Sequence, residues 1–214
     1  MPEYLEDVVE RFDPMDYITP SEEEMDEHLP ENPTREEILE TKSEIRSPKK
    51  RGGAILAGKI LAELLHLSTE VREEIEILTP ASHVEWSGEQ KDDVHLFFTY
   101  VGQVQEYLIR EAVFTHILSD DVRTDEMKQK IMGGRNERGM PVHECLEYLH
   151  KGDAIGDGLK GEIGQVRDER NETVHDITRW FFANFDPEDL EAQVSRGERT
   201  VVRLLELIYG FELE

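Results

Sequence analysis

Apolar residues recur at helical spacing along most of this chain. Over residues 93–118, Val94, Phe97, Val101, Val104, Leu108 and Ala112 step by three and four, which is one face of a helix. Tyr100, Tyr107 and Phe114 form a second row seven residues apart. A helix apolar on two sides is expected between neighbours in a bundle. A second long helix is expected from about Leu159 to Asn184, with the stripe Leu159, Ile163, Val166, Val174, Ile177 and Phe181. A last helix is announced by Asp186-Pro187-Glu188-Asp189 and stopped by Gly210. There an N-cap carboxylate precedes a proline at the first helical position, and two acids follow at the positive end of the dipole. Shorter helices are expected over Thr124–Met132, ended by Gly133-Gly134, and from Pro141 to about His150. A glycine-bearing loop over 151–158 follows. No convincing strand pattern occurs in 93–214, so this part reads as an all-α helical bundle.

The first 92 residues read differently. Residues 1–33 carry five prolines and few aromatics. A short helix over 2–11 with Leu5, Val8 and Val9 is expected, then an extended or loosely attached arm. Thr34-Arg-Glu-Glu is a small capping signature for a helix to about Ile45. Ser47-Pro-Lys-Lys-Arg-Gly-Gly reads as a basic hinge, better explained as a linker than as a nucleic-acid patch. Ala54–Leu67 is a good helix, and a turn at Leu67-Ser-Thr is expected to lead into a second, to Leu78. That pair has a helix-turn-helix flavour. Its second helix offers Glu70, Glu73, Glu74 and Glu76 beside one Arg72, a face that repels phosphate. A DNA-binding regulator acting through 54–78 is therefore a minor reading. Residues 79–92 read as a loop. The expected organisation is an acidic arm over 1–47, a basic hinge and short helical segment over 48–92, and the bundle over 93–214.

Charge sharpens this organisation. The chain has 214 residues and a formal net charge of −25. Residues 1–47 hold 16 acids and 4 bases, so nearly half of the excess lies in the arm. The balance excludes a strongly basic nucleic-acid binder. Heavy carboxylate with only 9 Lys beside 15 Arg suggests a protein built for a salty cytosol, that is, a halophilic source. At about 1 M salt the screening length is about 3 Å, and surface self-repulsion is largely quenched. The plainer alternative is an ordinary acidic protein with a solvated tail. A single cysteine, Cys145, fits a reducing cytoplasm. Glu3, Glu6 and Asp7 stand where a signal peptide would be positive. The longest apolar stretch, 52–67, is broken by Lys59 and Glu63, so no membrane span is expected.

The candidate chemistry lies on the second long helix. Arg170 stands where the next apolar residue should be, four after Val166 and four before Val174. A charge in a core stripe needs a partner or a task. Asn171 and His175 are four apart and share a face with Arg167. Guanidinium, carboxamide and imidazole are thus gathered on two turns of one helix. Arg170-Asn171-Glu172-Thr173-Val174-His175 resembles the Arg-Asn-x-x-x-His signature of the HEPN superfamily, over about residues 93–210. The looser Arg-to-His spacing also fits Arg110 to His116 and Arg138 to His143, but only 170–175 has the Asn and the late-helix placement.

The resemblance implies a helical bundle and a metal-independent endoribonuclease, often a toxin, defence or RNA-processing effector. It also implies a homodimer with the two motifs facing each other. No cofactor is implied. In such a site His175 would move protons, Arg170 would neutralise phosphate charge, and Asn171 would orient a phosphate, the imidazole or the ribose. Arg167, Arg135, Arg138 and Lys160 are weaker candidates for an RNA path, beside Lys151. The alternative is a catalytically inactive interaction module whose acidic arm binds or masks a partner, such as an antitoxin. In that reading Arg170 pairs with Glu169, Glu172 or a carboxylate from another helix. His143, Cys145 and His150 make a poor zinc pattern. The glycines of 152–164 lack the Gly-Lys-Ser/Thr of a phosphate loop.

Overall fold

A computed structural model describes residues 3–30, 33–45, 48–78, 87–134, 138–175 and 186–213, and among them the chain is all-α with no strand. In chain order the helices are α1 (Glu3–Arg11), α2 (Pro14–Ile18), α3 (Glu22–His28), α4 (Arg35–Ile45), α5 (Pro48–Leu78), α6 (Gly88–Ala112), α7 (Asp125–Met132), α8 (Val142–Lys151), α9 (Asp157–His175) and α10 (Pro187–Tyr209). A π-helical turn at Val113–Ile117 closes α6.

Helix α6 is the centre of the bundle, with α5, α9 and α10 around it and α7 and α8 against its C-terminal half. Its first apolar row requires this, whereas in the second Tyr100 and Phe114 are half-buried and Tyr107 is exposed. Val94, Phe97, Val101, Leu108 and Ala112 are buried, and Phe98 and Ile109 with them. Phe97 and Phe98 meet edge to face, centroids 5.2 Å apart, and each fully buried ring contributes about 1.5–3 kcal/mol. Gly197 lets α10 come close, since a Cβ there would lie 3.2 Å from the Phe97 ring. Helix α6 starts earlier than its hydrophobic pattern indicates. Ser87 and Gln90 form a reciprocal capping box, which satisfies donors at a helix end that is otherwise polar.

Helix ends follow the local chemistry elsewhere. The Asp186 carboxylate accepts from the amides of Glu188 and Asp189, and Gly210 closes α10 in the left-handed conformation at φ 67°. Thr34 and Glu37 cap α4 reciprocally, and Thr124 caps α7.

Residues 48–78 depart from the sequence reading. They form one continuous helix, with neither a hinge at 48–53 nor a turn at Leu67-Ser-Thr; Ser47 lies outside the described residues. The hydroxyls of Ser68 and Thr69 donate back to the Leu65 carbonyl, at 3.1 and 2.8 Å. Polar groups that read as turn formers are thereby satisfied inside the helix. The helix-turn-helix geometry is not formed. Gly53 is needed for packing, because a Cβ there would lie 2.3 Å from the Tyr209 ring. The expected short helix forms as α1, but the residues after it are not an extended arm, since they fold as α2 and α3. Leu5, Val8 and Phe12 enter the common core, α1 and α2 lie on α5, and Phe12 and Tyr17, stacked on each other, both meet the Phe211 ring at a tilt.

One buried polar network ties α5 to α10. Arg72 donates from Nη1 and Nη2 to the Glu198 carboxylate at 2.6 and 2.9 Å, and from Nε to Glu191 at 3.1 Å. Burial disfavours the Arg72 charge, but Glu198 and Glu191 outweigh it and hold the guanidinium protonated above its usual range. Arg72, read as the lone base of a DNA-facing helix, is a core clamp. Arg72→Ala strands the fully buried Glu198 and is expected to cost about 3–5 kcal/mol in denaturant unfolding. A loss below about 1 kcal/mol, the range of an exposed pair, would remove the network from the supports of the fold.

Candidate functional site

Leu159, Ile163 and Val166 are buried along one stripe of α9, and Arg170 continues that stripe toward α6. Gly102 of α6 makes the room. A Cβ there would lie 2.8 Å from Arg170 Cδ and 2.9 Å from Nε. The guanidinium passes over Gly102, and its Nη1 donates to Glu106 Oε1 at 3.3 Å. Glu106 also faces Arg110, Nη1 to Oε2 at 3.7 Å. Arg110 Nε donates to the Met140 carbonyl at 3.0 Å. One carboxylate thus sits between two guanidiniums. Arg170 Nε is buried and has no hydrogen-bond partner among the described residues. A guanidinium has five donors, and Glu106 takes one of them.

The other motif residues are placed by helix geometry. Asn171 is exposed and Arg167 half-buried. Both lie on the flank of α9 that turns away from α10. The opposite flank is occupied by ion pairs to α10, where Glu169 holds Arg196 and Glu162 holds Arg203. The backbone of His175 closes α9; its side chain lies outside the described residues, as does Arg135. Arg138 is exposed in the segment before α8. Lys160 is engaged, its Nζ donating to Glu147 Oε1 at 2.5 Å, and Lys151 lies 4.0 Å from the same carboxylate. The structure therefore brings Arg170, Asn171 and Arg167 together at the C-terminal part of α9. It sets Lys160 and Arg138 with other neighbours.

Two residues that matter here were not singled out from sequence. Glu106 carries no local signal, because its partner is 64 positions away. Gly102 does carry one. A glycine inside a strongly apolar helix points to a close approach by another element.

Glu169 shows how strongly this region is desolvated. Burial pushes its carboxyl up to about 7, against the lowering effect of Arg196. The Cys145 thiol is pushed up to about 11 by burial as well, so it is a packing residue. His143 is exposed beside Glu144, and His150 meets Asp157 at 2.8 Å. The three potential soft ligands do not converge, and no metal-binding group occurs among the described residues. No described helix is long and apolar enough to cross a membrane. No known family, curated protein or solved structure matches this chain.

The Glu169 carboxyl yields a pH prediction. A folded value above the ordinary 4.5 means that the folded state binds the proton more tightly than the unfolded chain. Its contribution to stability is then fullest below about 4.5 and declines until about pH 7. Glu169→Gln should remove that decline. Unfolding midpoints of both proteins across this window should diverge as pH rises, with the wild type losing more. Parallel curves would show an ordinary carboxylate.

Proposed function

We propose that this chain is a metal-independent endoribonuclease of the HEPN type. The carrying observation is Arg170, a half-buried guanidinium in place of a core residue, seated over Gly102 and next to Asn171 on the same helix. In this reading Arg170 binds the scissile phosphate and offsets charge as it builds on the phosphoryl oxygens. His175 takes the proton from the ribose 2′-OH as that oxygen attacks phosphorus, and a protonated imidazole returns a proton to the leaving 5′ oxygen. Asn171 orients the phosphate or the ribose, and Arg167 supplies further positive charge along the strand. DNA lacks the attacking hydroxyl, so the chemistry selects RNA. Glu106 and Gly102 act by positioning Arg170. The chain's acidity is tolerable to RNA where salt is concentrated, since the carboxylates then act only over a few ångströms. Within this reading the protein serves as a toxin, defence or RNA-processing effector in the cytoplasm, works as a homodimer and takes an antitoxin or other protein partner.

The ion pair to Glu106 favours one other reading. An arginine held by a neighbouring carboxylate is also what a purely structural charge would show. In that case the bundle is an inert interaction module.

Cleavage of single-stranded RNA in high-salt buffer with chelator separates the two. His175→Ala is expected to slow cleavage about 10²–10⁴-fold, and Arg170→Ala about 10²–10³-fold. Equal rates for the three proteins would remove the site assignment. No cleavage by the wild type would leave the inert module.

Gly102→Ala tests the seat of Arg170 alone. The added methyl displaces a flexible stem and not backbone, while alanine favours the helix by about 0.5–1 kcal/mol. Unfolding stability should therefore hold within about 1 kcal/mol while cleavage falls. A variant with full activity would show that the Gly102 seat does not position Arg170 for reaction.

A further inference from the structure

A groove of about 350 Å³ opens between α5 and α6, within the range of about 300–1,000 Å³ that small-ligand sites occupy. Leu56 and Ile60 line it from α5, and Tyr100, Gln103, Val104 and Tyr107 from α6. Tyr100 and Tyr107 stand seven residues apart, and Gln103 lies between them on the same face. Both rings are held by their hydroxyls. That of Tyr100 donates to the Ile60 carbonyl at 3.3 Å, and that of Tyr107 is hydrogen-bonded to Tyr209. What they offer a ligand is ring face. Burial, with Glu63 acting in the same direction, pushes the Tyr100 phenol up to about 12, so this ring is uncharged at neutral pH. Tyr107 is 39% exposed, and the Gln103 carboxamide is exposed beside it.

Fixed aromatic faces, an aliphatic lining and one amide suit a flat group with a hydrogen-bonding edge. A nucleobase is such a group. Its face stacks on tyrosine, and its edge pairs with an amide that both donates and accepts. A lipid chain or an apolar helix would fill the groove but make no use of the amide. The groove also borders Arg170. Glu106, which accepts from Arg170 Nη1 at 3.3 Å, stands three residues after Gln103, so the two side chains are neighbours on the helix. Gly102, over which the guanidinium passes, immediately precedes Gln103. The base and the phosphate of one nucleotide can bridge such neighbours.

Charge supplies a second reason. Phosphate contacts carry much of the affinity of most nucleic-acid binders, and they weaken as salt rises. A chain of net charge −25 cannot rely on them. At about 0.1 M salt the screening length is about 10 Å, and its carboxylates repel a strand. At about 1 M it is about 3 Å, and attraction to phosphate is quenched along with the repulsion. Stacking of a base on a ring involves no net charge and survives both conditions. Contact with RNA therefore has to be made largely through bases, and this groove presents ring faces beside Arg170.

We propose that the α5–α6 groove is a nucleobase subsite for single-stranded RNA. One base lies against the Tyr100 and Tyr107 rings and bonds through its edge to the Gln103 amide, and the phosphate of the same nucleotide lies at Arg170. The placement of the phosphate rests on the ribonuclease reading. The fit of the groove to a base does not.

Fluorescence anisotropy of the full chain with short labelled 2′-O-methyl homopolymers tests this, because the methyl group blocks cleavage during the measurement. At about 1 M salt with chelator the wild type should bind base-bearing strands and distinguish the four bases. An abasic strand of the same length should bind at least about fivefold more weakly, the loss expected from one stacked base. Tyr107→Ala should weaken all four homopolymers by a similar factor. Gln103→Ala, at an exposed helical position that leaves the fold intact, should narrow the differences among them. Ile77→Ala, an exposed apolar site elsewhere on α5, should change neither. Affinity should not fall between about 0.1 and about 1 M salt. Equal binding of abasic and base-bearing strands would overturn the proposal, as would wild-type affinity and base preference in both groove variants. So would affinity that collapses with salt, which would trace binding to phosphate alone. Absence of RNA binding at every salt would overturn it too and leave the groove to a protein partner. Cleavage is read separately on unmodified RNA. A chain that binds bases in the groove without cleaving counts against the ribonuclease reading only. Cleavage with full-strength binding by both groove variants counts against the subsite only.

Discussion

The buried stripe of α6 has to be enclosed, and it imposes that requirement on the described chain. Phe97, Phe98, Val101 and Leu108 are all fully buried, and Phe97 and Val101 both face Gly197 of α10. Helices α5, α9 and α10 are accordingly drawn around it. The enclosure needs small residues where helices approach, and Gly197 and Gly102 supply them. It also needs polar groups settled where they cannot reach water. Gln105 is fully buried, and its Nε2 donates to Thr200 at 2.6 Å. Arg72 gathers Glu191 and Glu198 between α5 and α10.

Arg170 belongs to the same construction. It lies in the core stripe of α9, yet its guanidinium is brought out along α6 by the gap at Gly102 and held by Glu106. The arrangement gives a fixed direction to a long side chain that would otherwise sample many rotamers. A fixed guanidinium suits both a structural tie and phosphate recognition, because in each the ordering cost is met before the contact is made. The opposite flank of α9 is consumed by ion pairs to α10, whereas on the flank with Arg167 and Asn171 the amide is exposed.

Much of the bundle was legible from the spacing of apolar residues. The last helix was readable down to its caps, since Asp186, Pro187 and Gly210 act locally. The short helices after Thr124 and Pro141 were readable for the same reason. Residues 48–53 and 67–69 were misread because Gly, Ser and Thr have two uses. They can open a turn, or they can sit in a helix where a ring packs closely or a hydroxyl bonds back to a carbonyl. The Tyr209 ring above Gly53 and the Leu65 carbonyl behind Ser68 and Thr69 settled it. The helix at 2–11 was readable, but the segment after it was misread as an arm because the anchor of Phe12 and Tyr17 is Phe211, far along the chain.

By itself the sequence determined the all-α class, the long helices and their caps, the acidic balance, and the anomaly of an arginine in a core stripe. These follow from periodicity and from interactions within one turn, which need no distant partner. Only the tertiary structure decided which carboxylate holds Arg170, that Gly102 gives it room, and that Arg72 is a core clamp. Each of these depends on residues dozens of positions apart meeting in space. Local spacing carries no record of such meetings.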